Sequence, residues 1–341
     1  MSESAQVLTP TFGEHMRMRP GMYMGNLSIT GFFDITKKLL EETTLDAMAP
    51  VVTVGVWSSE RITFSVNHIS ITPLLKLLEL VYEDERAVGG FWSFLLFLYF
   101  GDPVVITFRD EGVETVFIGK AGKVERSANA YNGTGNELVI DFKIDRTILP
   151  GISLMFEMLV RPLSEYAMLR PQCRIILEDH SGGELQRNVF HYPTGLSHKM
   201  DELIQCTHAS KRSKIEIKAS IEGYKYQIVL SLGQEELNTP VVETYAGIRM
   251  MKFKGSLYKG VLAGLRDALK ATTGKELSKK RVRPGLLMLA SVDGAPLCFS
   301  GATMEKLDMP EVKKAAQKLV SRELSAWFAN NPEVRDSIVR R

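Results

Sequence analysis

Ten consecutive uncharged residues, FWSFLLFLYF, occupy positions 91–100 and are almost all apolar. A helix needs about 20 such residues to cross a bilayer, so this run is too short to span a membrane. Its side chains must instead be covered by the rest of the chain, and a buried helix or strand is the main interpretation. An exposed surface that binds a partner is the alternative. The run therefore predicts a folded core built around it.

Composition and charge indicate a globular protein. The 341 residues, 45% of them hydrophobic and 24% charged, are enough for two domains. The net charge of +2 is too small to predict a general nucleic-acid or membrane binder. Cys173, Cys206 and Cys298 are far apart and lack a CxxC spacing, which disfavours a zinc site or a disulfide framework. Reduced cysteines and a polar N-terminus without a signal-peptide pattern predict a cytoplasmic protein.

Strand-like and helix-like segments alternate along the chain, which predicts an α+β fold with helices on one face of a sheet. Residues 31–49 carry apolar side chains at helical spacing, and residues 51–71 have the pattern of a β-hairpin. The pattern of strands restarts near residue 213, after a polar and weakly patterned stretch. We therefore expect two domains, at residues 1–205 and 206–341.

The segment Arg19-Pro20-Gly21-Met22-Tyr23-Met24-Gly25 combines a fixed φ, a permissive glycine and a large aromatic side chain in a tight turn. It resembles the arm at the front of the ATPase region in gyrase B subunits and their topoisomerase IV relatives, which are GHKL ATPases. Similar segments follow in the family's order, among them VFHYPTGLSHKMDELI, AGLRDALKATTGK and PEVKKAAQKLVSRELSAWFANNPEV. No segment resembles the family's metal-binding TOPRIM region or its DNA-cleaving subunit.

The resemblance implies a fold and an assembly. The fold is a GHKL (Bergerat-type) α/β sandwich, here a degenerate ATPase-like domain with an N-terminal arm, followed by a ribosomal-S5-like transducer domain. The assembly is a dimer in which the arm contacts the partner. The residues of the arm expected to make this contact are Arg19, Pro20, Met22 and Tyr23.

The resemblance also implies a catalytic base and a magnesium ligand on the helix after the arm. In the family, a glutamate activates the attacking water, and an asparagine four residues later helps to hold Mg²⁺. Alignment along this helix places Lys38 at the base position and Glu42 at the magnesium position. A charged lysine cannot accept the proton, whereas Glu42 could still bind a metal ion. A register slip would make Glu41 the base, but it would place Leu45, which has no side-chain oxygen, at the magnesium position.

The implied adenine pocket and phosphate-binding loop have also changed. The family recognises adenine with an aspartate in a DxGxG turn, whereas Val66 or Asn67 stands at the aspartate position here and both glycines are missing. Of the glycine-rich loop that surrounds the triphosphate in the family, only Gly89 and Gly90 remain. Bulky apolar residues follow them and are expected to fill the nucleotide pocket.

The transducer of the family directs a glutamine and a lysine to the γ-phosphate. These positions hold Ala302 and Met304 here, and Lys306, two residues further on, is the only substitute nearby. A solvated lysine before a helix is the simpler interpretation of Lys306. The degenerate positions of the nucleotide site are thus Glu42, Val66, Asn67, Gly89, Gly90, Asn136, Ala302 and Met304.

These changes favour a non-catalytic, gyrase-B-like protein that uses neither ATP nor Mg²⁺. It would act through protein contacts, with itself or with a gyrase or topoisomerase subunit, and would modulate a type IIA topoisomerase. A divergent ATPase that uses Glu41, Glu42 and Lys306 stays open as an alternative.

A DNA-binding accessory protein is a further alternative, because the second half of the chain is rich in basic residues. A solvated surface is the simpler interpretation of these charges, and DNA binding would require affinity that falls steeply with salt. The basic residues are Lys211, Arg212, Lys214, Lys252, Lys254, Lys259, Lys279, Lys280, Arg281 and Arg283. His191, His198 and His208 lack the spacing of a metal site.

Overall fold

The computed structural model describes residues 11–44, 47–67, 69, 72–83, 92–133, 135–206, 212–233, 241–294, 296–301 and 304–340. The chain divides into two compact units, Met1–Pro193 and Thr194–Arg341. No helix among the described residues is both long enough and apolar enough to cross a membrane.

The first unit is built on an eight-stranded sheet in the order β5-β4-β3-β6-β2-β1-β7-β8. Only the pair β1–β7 is parallel, and the other neighbours are antiparallel. The strands are β1 (Val51–Ser58), β2 (Arg61–Asn67), β3 (Gly101–Asp110), β4 (Val113–Lys120), β5 (Lys123–Ala130), β6 (Glu137–Ile144), β7 (Arg174–Asp179) and β8 (Gln186–Phe190).

Helices cover one face of this sheet. They are α1 (Phe12–Met18), α2 (Pro20–Met24), α3 (Ile29–Thr44), α4 (Thr72–Glu83), α5 (Trp92–Phe100) and α6 (Phe156–Leu169). The sequence of strand β2 shows why the helices pack on this face of the sheet. Its alternate residues Ile62, Phe64 and Val66 are apolar and are buried beneath the helices. The hairpin predicted at residues 51–71 is confirmed as β1 and β2.

Helix α5 contains the long apolar run and lies in the core of the first unit. Each residue from Phe94 to Phe100 is at most 2% exposed. The prediction of a buried element is confirmed, and the alternative of an exposed partner-binding surface is wrong for these residues. An apolar run without helical amphipathicity is buried all round because it has no polar face to present to water.

The second unit has a five-stranded sheet in the order β12-β11-β13-β10-β9. Its strands are β9 (Arg212–Ile221), β10 (Tyr224–Gly233), β11 (Val241–Ala246), β12 (Arg249–Met250) and β13 (Leu287–Asp293). Its helices are α7 (Leu196–Cys206), α8 (Ser256–Thr273), α9 (Lys279–Val282), α10 (Pro310–Asn330) and α11 (Pro332–Arg340).

Two glycines bring α8 and α10 into close contact. A Cβ atom added at Gly260 would lie 2.5 Å from the carbonyl oxygen of Lys313, and one at Gly264 would lie 2.5 Å from that of Gln317. Only a residue without a side chain permits this approach. The two helices therefore pack backbone to backbone over one face of the second sheet.

Helix α7 belongs to the second unit, although the sequence boundary after residue 205 assigned it to the first. The Leu196 backbone N–H donates to Oε1 of Gln227 on β10 at 3.3 Å, and Met200 is completely buried. The division between the units therefore falls before α7. The polar sequence that suggested a later boundary comes after α7, within the second unit.

Candidate nucleotide site of the first unit

Helix α3 presents Lys38 and Glu42 one turn apart, beside its apolar stripe. Phe32, Ile35 and Leu39 form that stripe and are buried. The spacing of four residues brings Lys38 and Glu42 onto the same helix face. The structure therefore keeps together the two residues that the resemblance assigns to the catalytic base and the magnesium ligand.

The Glu42 side chain caps the N-terminus of helix α5. Its carboxylate accepts hydrogen bonds from the Ser93 hydroxyl and from the backbone N–H groups of Ser93 and Phe94. The first N–H groups of a helix lack partners within the helix and carry a partial positive charge, so a carboxylate is a suitable acceptor there. Glu42 thus satisfies the end of α5 from within the same chain.

Burial raises the pKa of Glu42 to about 7, from an ordinary value of 4.5. The hydrogen bonds from Ser93 and Phe94 and the positive charge of Lys38 act in the opposite direction and lower it. Loss of hydration is the larger effect, because the carboxyl group lies beneath the apolar α5. Glu42 therefore changes its protonation state close to neutral pH.

The neighbouring Glu41 is engaged elsewhere. Its carboxylate pairs with the guanidinium of Arg170, whose side chain is only 6% exposed. The register slip that would make Glu41 a catalytic base therefore requires a carboxylate that already neutralises a buried cation. Removing such a partner leaves an uncompensated buried charge, which is costly. Leu45, the other residue in that slip, lies outside the described residues.

Val66 and Asn67, the two candidates for the adenine position, lie on opposite faces of the sheet. Val66 is 1% exposed and faces the helical layer, whereas Asn67 faces the opposite side of β2. Successive residues of a strand alternate between faces, so only one of the two can face the helices. The residue that does so is a valine, which has no hydrogen-bonding group for a base.

Aromatic side chains fill the space between α5 and the sheet. The ring centroid of Phe97 lies 4.9 Å from that of Phe142, 5.6 Å from Phe64 and 5.8 Å from Phe32. These edge-to-face contacts are the favoured arrangement of packed aromatic rings. Phe94 and Phe97, two of the residues expected to fill the nucleotide pocket, are each 1% exposed. Gly89, Gly90, Phe91 and the side chain of Trp92 lie outside the described residues.

Helix α1, which precedes the arm residues, is anchored to α5 and to the residue that follows β6. The Arg17 guanidinium donates to the Tyr99 carbonyl at 2.8 Å and pairs with the Asp145 carboxylate at 2.5 Å. Nothing in the local sequence predicts this ion pair, because its members are 128 residues apart. Sequence reasoning missed both residues for that reason.

The arm residues themselves are distributed between contact and solvent. Pro20 begins α2, so the predicted tight turn is a short helix. The Tyr23 hydroxyl lies 2.6 Å from Nδ1 of His15, while Arg19 and Met22 are exposed, Met22 to 67%. Arg19 and Met22 are therefore accessible on the surface of the first unit.

The positions implied for the transducer lie in the second unit. Met304 is 45% exposed and has a positive φ of 53°, and the Lys306 carbonyl accepts a hydrogen bond from the Ser300 backbone N–H at 2.9 Å. Ala302 lies outside the described residues. In the first unit, Asn136 is exposed just before β6.

Comparison with known proteins shows which proteins this chain resembles. A family model described as DNA gyrase B matches residues 240–341. The crystal structure of the B-subunit of the DNA gyrase from Myxococcus xanthus is similar, with a TM-score of 0.83 and 22% sequence identity. The match covers 97% of this chain and 99% of the Myxococcus xanthus chain. The chain has the fold of a gyrase B protein.

Other relatives agree with this fold. The 43K ATPase domain of Thermus thermophilus gyrase B covers 96% of this gyrase-B-like chain at 18% identity, with a TM-score of 0.78. The DNA gyrase B protein of Archaeoglobus fulgidus is 23% identical over 96% of the chain, and the DNA topoisomerase 4 B protein of Enterococcus faecalis is 22% identical over 96%. The chain spans 56% and 53% of these two relatives, about half their length.

The predicted α+β fold class, a GHKL sandwich followed by a transducer-type unit, is confirmed. The residues of the gyrase-B-like site nevertheless do not fit ATP with Mg²⁺. Of the positions that the resemblance assigns, the base position would be Lys38, the metal position would be Glu42, whose carboxylate caps α5, and the adenine position would be Val66 or Asn67. Among the described residues, no three His, Cys, Asp or Glu side chains are grouped so that they could hold a metal ion.

Several of the basic residues in the second unit are engaged within the chain. Lys214 pairs with Asp201 at 2.5 Å, Lys252 pairs with Glu305, and Arg212 donates to the carbonyl of Ser231 at 3.0 Å. Lys279, Lys280 and Arg281 are exposed on α9. Lys211 and His208 lie outside the described residues.

Proposed function

We propose that this chain is a non-catalytic gyrase-B-like protein that acts through protein contacts and modulates a type IIA topoisomerase. The observation that carries the proposal is the Glu42 carboxylate at the N-terminus of α5. In GHKL ATPases this helix end, with the glycine-rich loop before it, receives the triphosphate. Here its hydrogen-bond donors already have an acceptor.

Electrostatics support the same conclusion. Once Glu42 is ionised, a phosphate charge within about 4 Å of it would be repelled by roughly 4 kcal/mol at an effective dielectric constant of about 20. A triphosphate carries several such charges. Lys38 adds a second obstacle, because a protonated amine at the base position cannot activate water.

Isothermal titration of the full chain with a non-hydrolysable ATP analogue and Mg²⁺ tests the nucleotide part of the proposal. The host's own gyrase B ATPase region, titrated under the same conditions, is the positive control. We expect heat of binding from the control only. Micromolar binding by this chain would refute the proposal and support the divergent ATPase that uses Glu41, Glu42 and Lys306.

The exposed part of the arm supports action through protein contacts. Met18 and Met22 are 62% and 67% exposed, and Arg19 lies between them in sequence. Methionine and arginine are enriched in protein interfaces. The partner we propose is a second copy of this chain or a gyrase or topoisomerase IV subunit, with Arg19, Pro20, Met22 and Tyr23 in the contact.

Supercoiling and decatenation assays test the protein-contact part. We expect the full chain to change the activity of the host's gyrase or topoisomerase IV, and Met22→Glu to remove that effect. Leu185→Glu is the matched control, because Leu185 is also exposed, to 60%, but lies outside the arm. Unchanged activity of both enzymes at excess chain would refute modulation.

DNA binding through the second unit is not the function we propose. Lys214 and Lys252 are paired with acidic side chains and Arg212 is bonded to backbone carbonyls, which leaves fewer cations for phosphates. A salt titration of DNA binding separates the two ideas, because phosphate contacts give affinity that falls steeply with salt.

A further inference from the structure

Strand β9 forms one edge of the second sheet. Among the strands of the described residues, it pairs only with β10. The two strands are joined by Glu222 and Gly223, whose φ values of 51° and 82° are those of a two-residue type I′ turn. An edge strand of this length offers a row of backbone groups to another chain.

The turn fixes which backbone groups of β9 point outward. In a two-residue hairpin the flanking residues, Ile221 and Tyr224, form a hydrogen-bonded pair, and hydrogen-bonded and non-hydrogen-bonded pairs then alternate. Lys218 and Ser220 belong to the non-hydrogen-bonded pairs. Their N–H and C=O groups therefore point away from β10 and are available to an added strand.

A groove of ≈ 530 Å³ lies beside this edge, between the end of β9 and helix α10. Its apolar lining comes from Ala219 and Ile221 on the strand and from Ala315 and Leu319 on the helix. Ala219 and Ile221 point toward the helical side of the sheet, where they pack against its core. A strand added to β9 would direct every second side chain into the groove.

The groove carries charge of both signs. Lys314, Lys318 and Arg322 line it from α10 at successive helical turns, and all three are exposed. Glu222, in the turn after β9, and Glu311, in the first turn of α10, line the same groove. A continuous polyanion would be repelled there. A peptide with acidic residues at selected positions would not.

We propose that the edge of β9 and the groove beside α10 bind an extended acidic peptide segment of a partner protein by strand addition. The peptide backbone pairs with Lys218 and Ser220, its apolar side chains contact Ala219, Ile221 and Leu319, and its carboxylates meet Lys314 and Lys318. This combination of a sheet edge and side-chain pockets is a general mode of peptide recognition. The site does not depend on whether the first unit binds nucleotide.

The probe is a fluorescein-labelled peptide, Val-Thr-Asp-Thr-Val-Thr-Asp, in which valine and aspartate share one face of the strand. Fluorescence anisotropy with the full chain measures its affinity. One control peptide has asparagine in place of aspartate. Another has N-methyl groups on the residues whose N–H would pair with β9, which removes the ladder without changing the protein.

The first pair of variants tests the charges. Lys314→Glu combined with Lys318→Glu should weaken binding of the acidic peptide by about tenfold or more. Lys279→Glu combined with Lys280→Glu makes the same change in net charge on α9 and should leave the affinity unchanged. Equal losses in the two double variants would overturn the proposal, because binding would then follow net charge alone.

The second pair of variants tests the strand edge. Ser220→Pro removes an outward N–H without breaking the pairing with β10 and should weaken binding by about fivefold, whereas Ser220→Ala should not. The N-methylated peptide reports on the same hydrogen bonds if the proline variant folds poorly. Undiminished binding of the N-methylated peptide would overturn the proposal, because the backbone hydrogen bonds would then contribute nothing. Displacement of the acidic peptide by a single-stranded oligonucleotide that binds equally well would also overturn it, because the surface would then bind any polyanion.

Discussion

Replacing Glu42 by glutamine tests whether a buried carboxyl group caps helix α5. Burial raises the pKa of Glu42 to about 7, from 4.5. Between these values the folded chain keeps a proton that the unfolded chain has released. The stabilisation from this proton is therefore complete below the unfolded pKa and is lost as the pH rises through the folded one.

The size of the effect follows from the same two pKa values. Integrating the proton linkage from about pH 5 to about pH 8.5 gives a loss of about 2.5 kcal/mol in the free energy of unfolding. Glutamine has a similar size and can still accept hydrogen bonds from α5, but it does not titrate. Relative to the wild type, Glu42→Gln should therefore gain about 2.5 kcal/mol across this range, or roughly 5 to 10 °C in Tm.

Urea unfolding at both pH values measures this gain. A Trp327→Phe background restricts the fluorescence to the two tryptophans of the first unit, Trp57 and Trp92. Glu83→Gln is the matched control, because Glu83 is exposed at the end of α4. If the difference between the free energies of unfolding of Glu42→Gln and the wild type is the same at low and high pH, Glu42 is not buried at the N-terminus of α5 and our account of the site fails.

Three further changes test the packing described above. Burial raises the pKa of Asp145, but hydrogen bonds from Thr147 and Arg17 hold it below its usual value. Asp145→Asn should therefore lower the free energy of unfolding by about 2 kcal/mol near neutral pH. This loss should shrink as acid protonates the wild-type carboxylate, and denaturation at a series of low pH values measures it. Gly260→Val should destabilise the second unit by about 2 kcal/mol or more, whereas Gly182→Ala, with no atom within 4 Å of an added Cβ, should be neutral in thermal melts. Phe97→Ala should cost about 3 to 5 kcal/mol in urea unfolding, and a cost below about 1 kcal/mol would show that the aromatic cluster does not fill the site.

Local patterns predicted the elements whose burial has a clear period. The alternation in β2 and the apolar run in α5 are properties of neighbouring residues, so they were visible in the sequence. The same alternation could have placed Val66 and Asn67 on opposite faces of the sheet, because only one of two successive strand residues can face the helices.

Contacts between distant parts of the chain were not predictable in this way. The bond between Glu42 and Ser93 and the ion pair of Arg17 with Asp145 join residues that the fold alone brings together. A glutamate on a helix and a serine within an apolar run each have an ordinary local explanation. Their pairing depends on the angle at which α5 meets α3, and no local pattern encodes that angle.

The capped end of α5 has a consequence for how such a protein would respond to its surroundings. A diffusible ligand stabilises a protein strongly only when its concentration is well above its Kd. A group tethered within the same chain has an effective concentration in the millimolar range or above, whatever the metabolic state of the cell. A protein of this kind would hold one conformation while ATP-dependent neighbours cycle, and protons rather than nucleotides would be the small species to which its helix end responds.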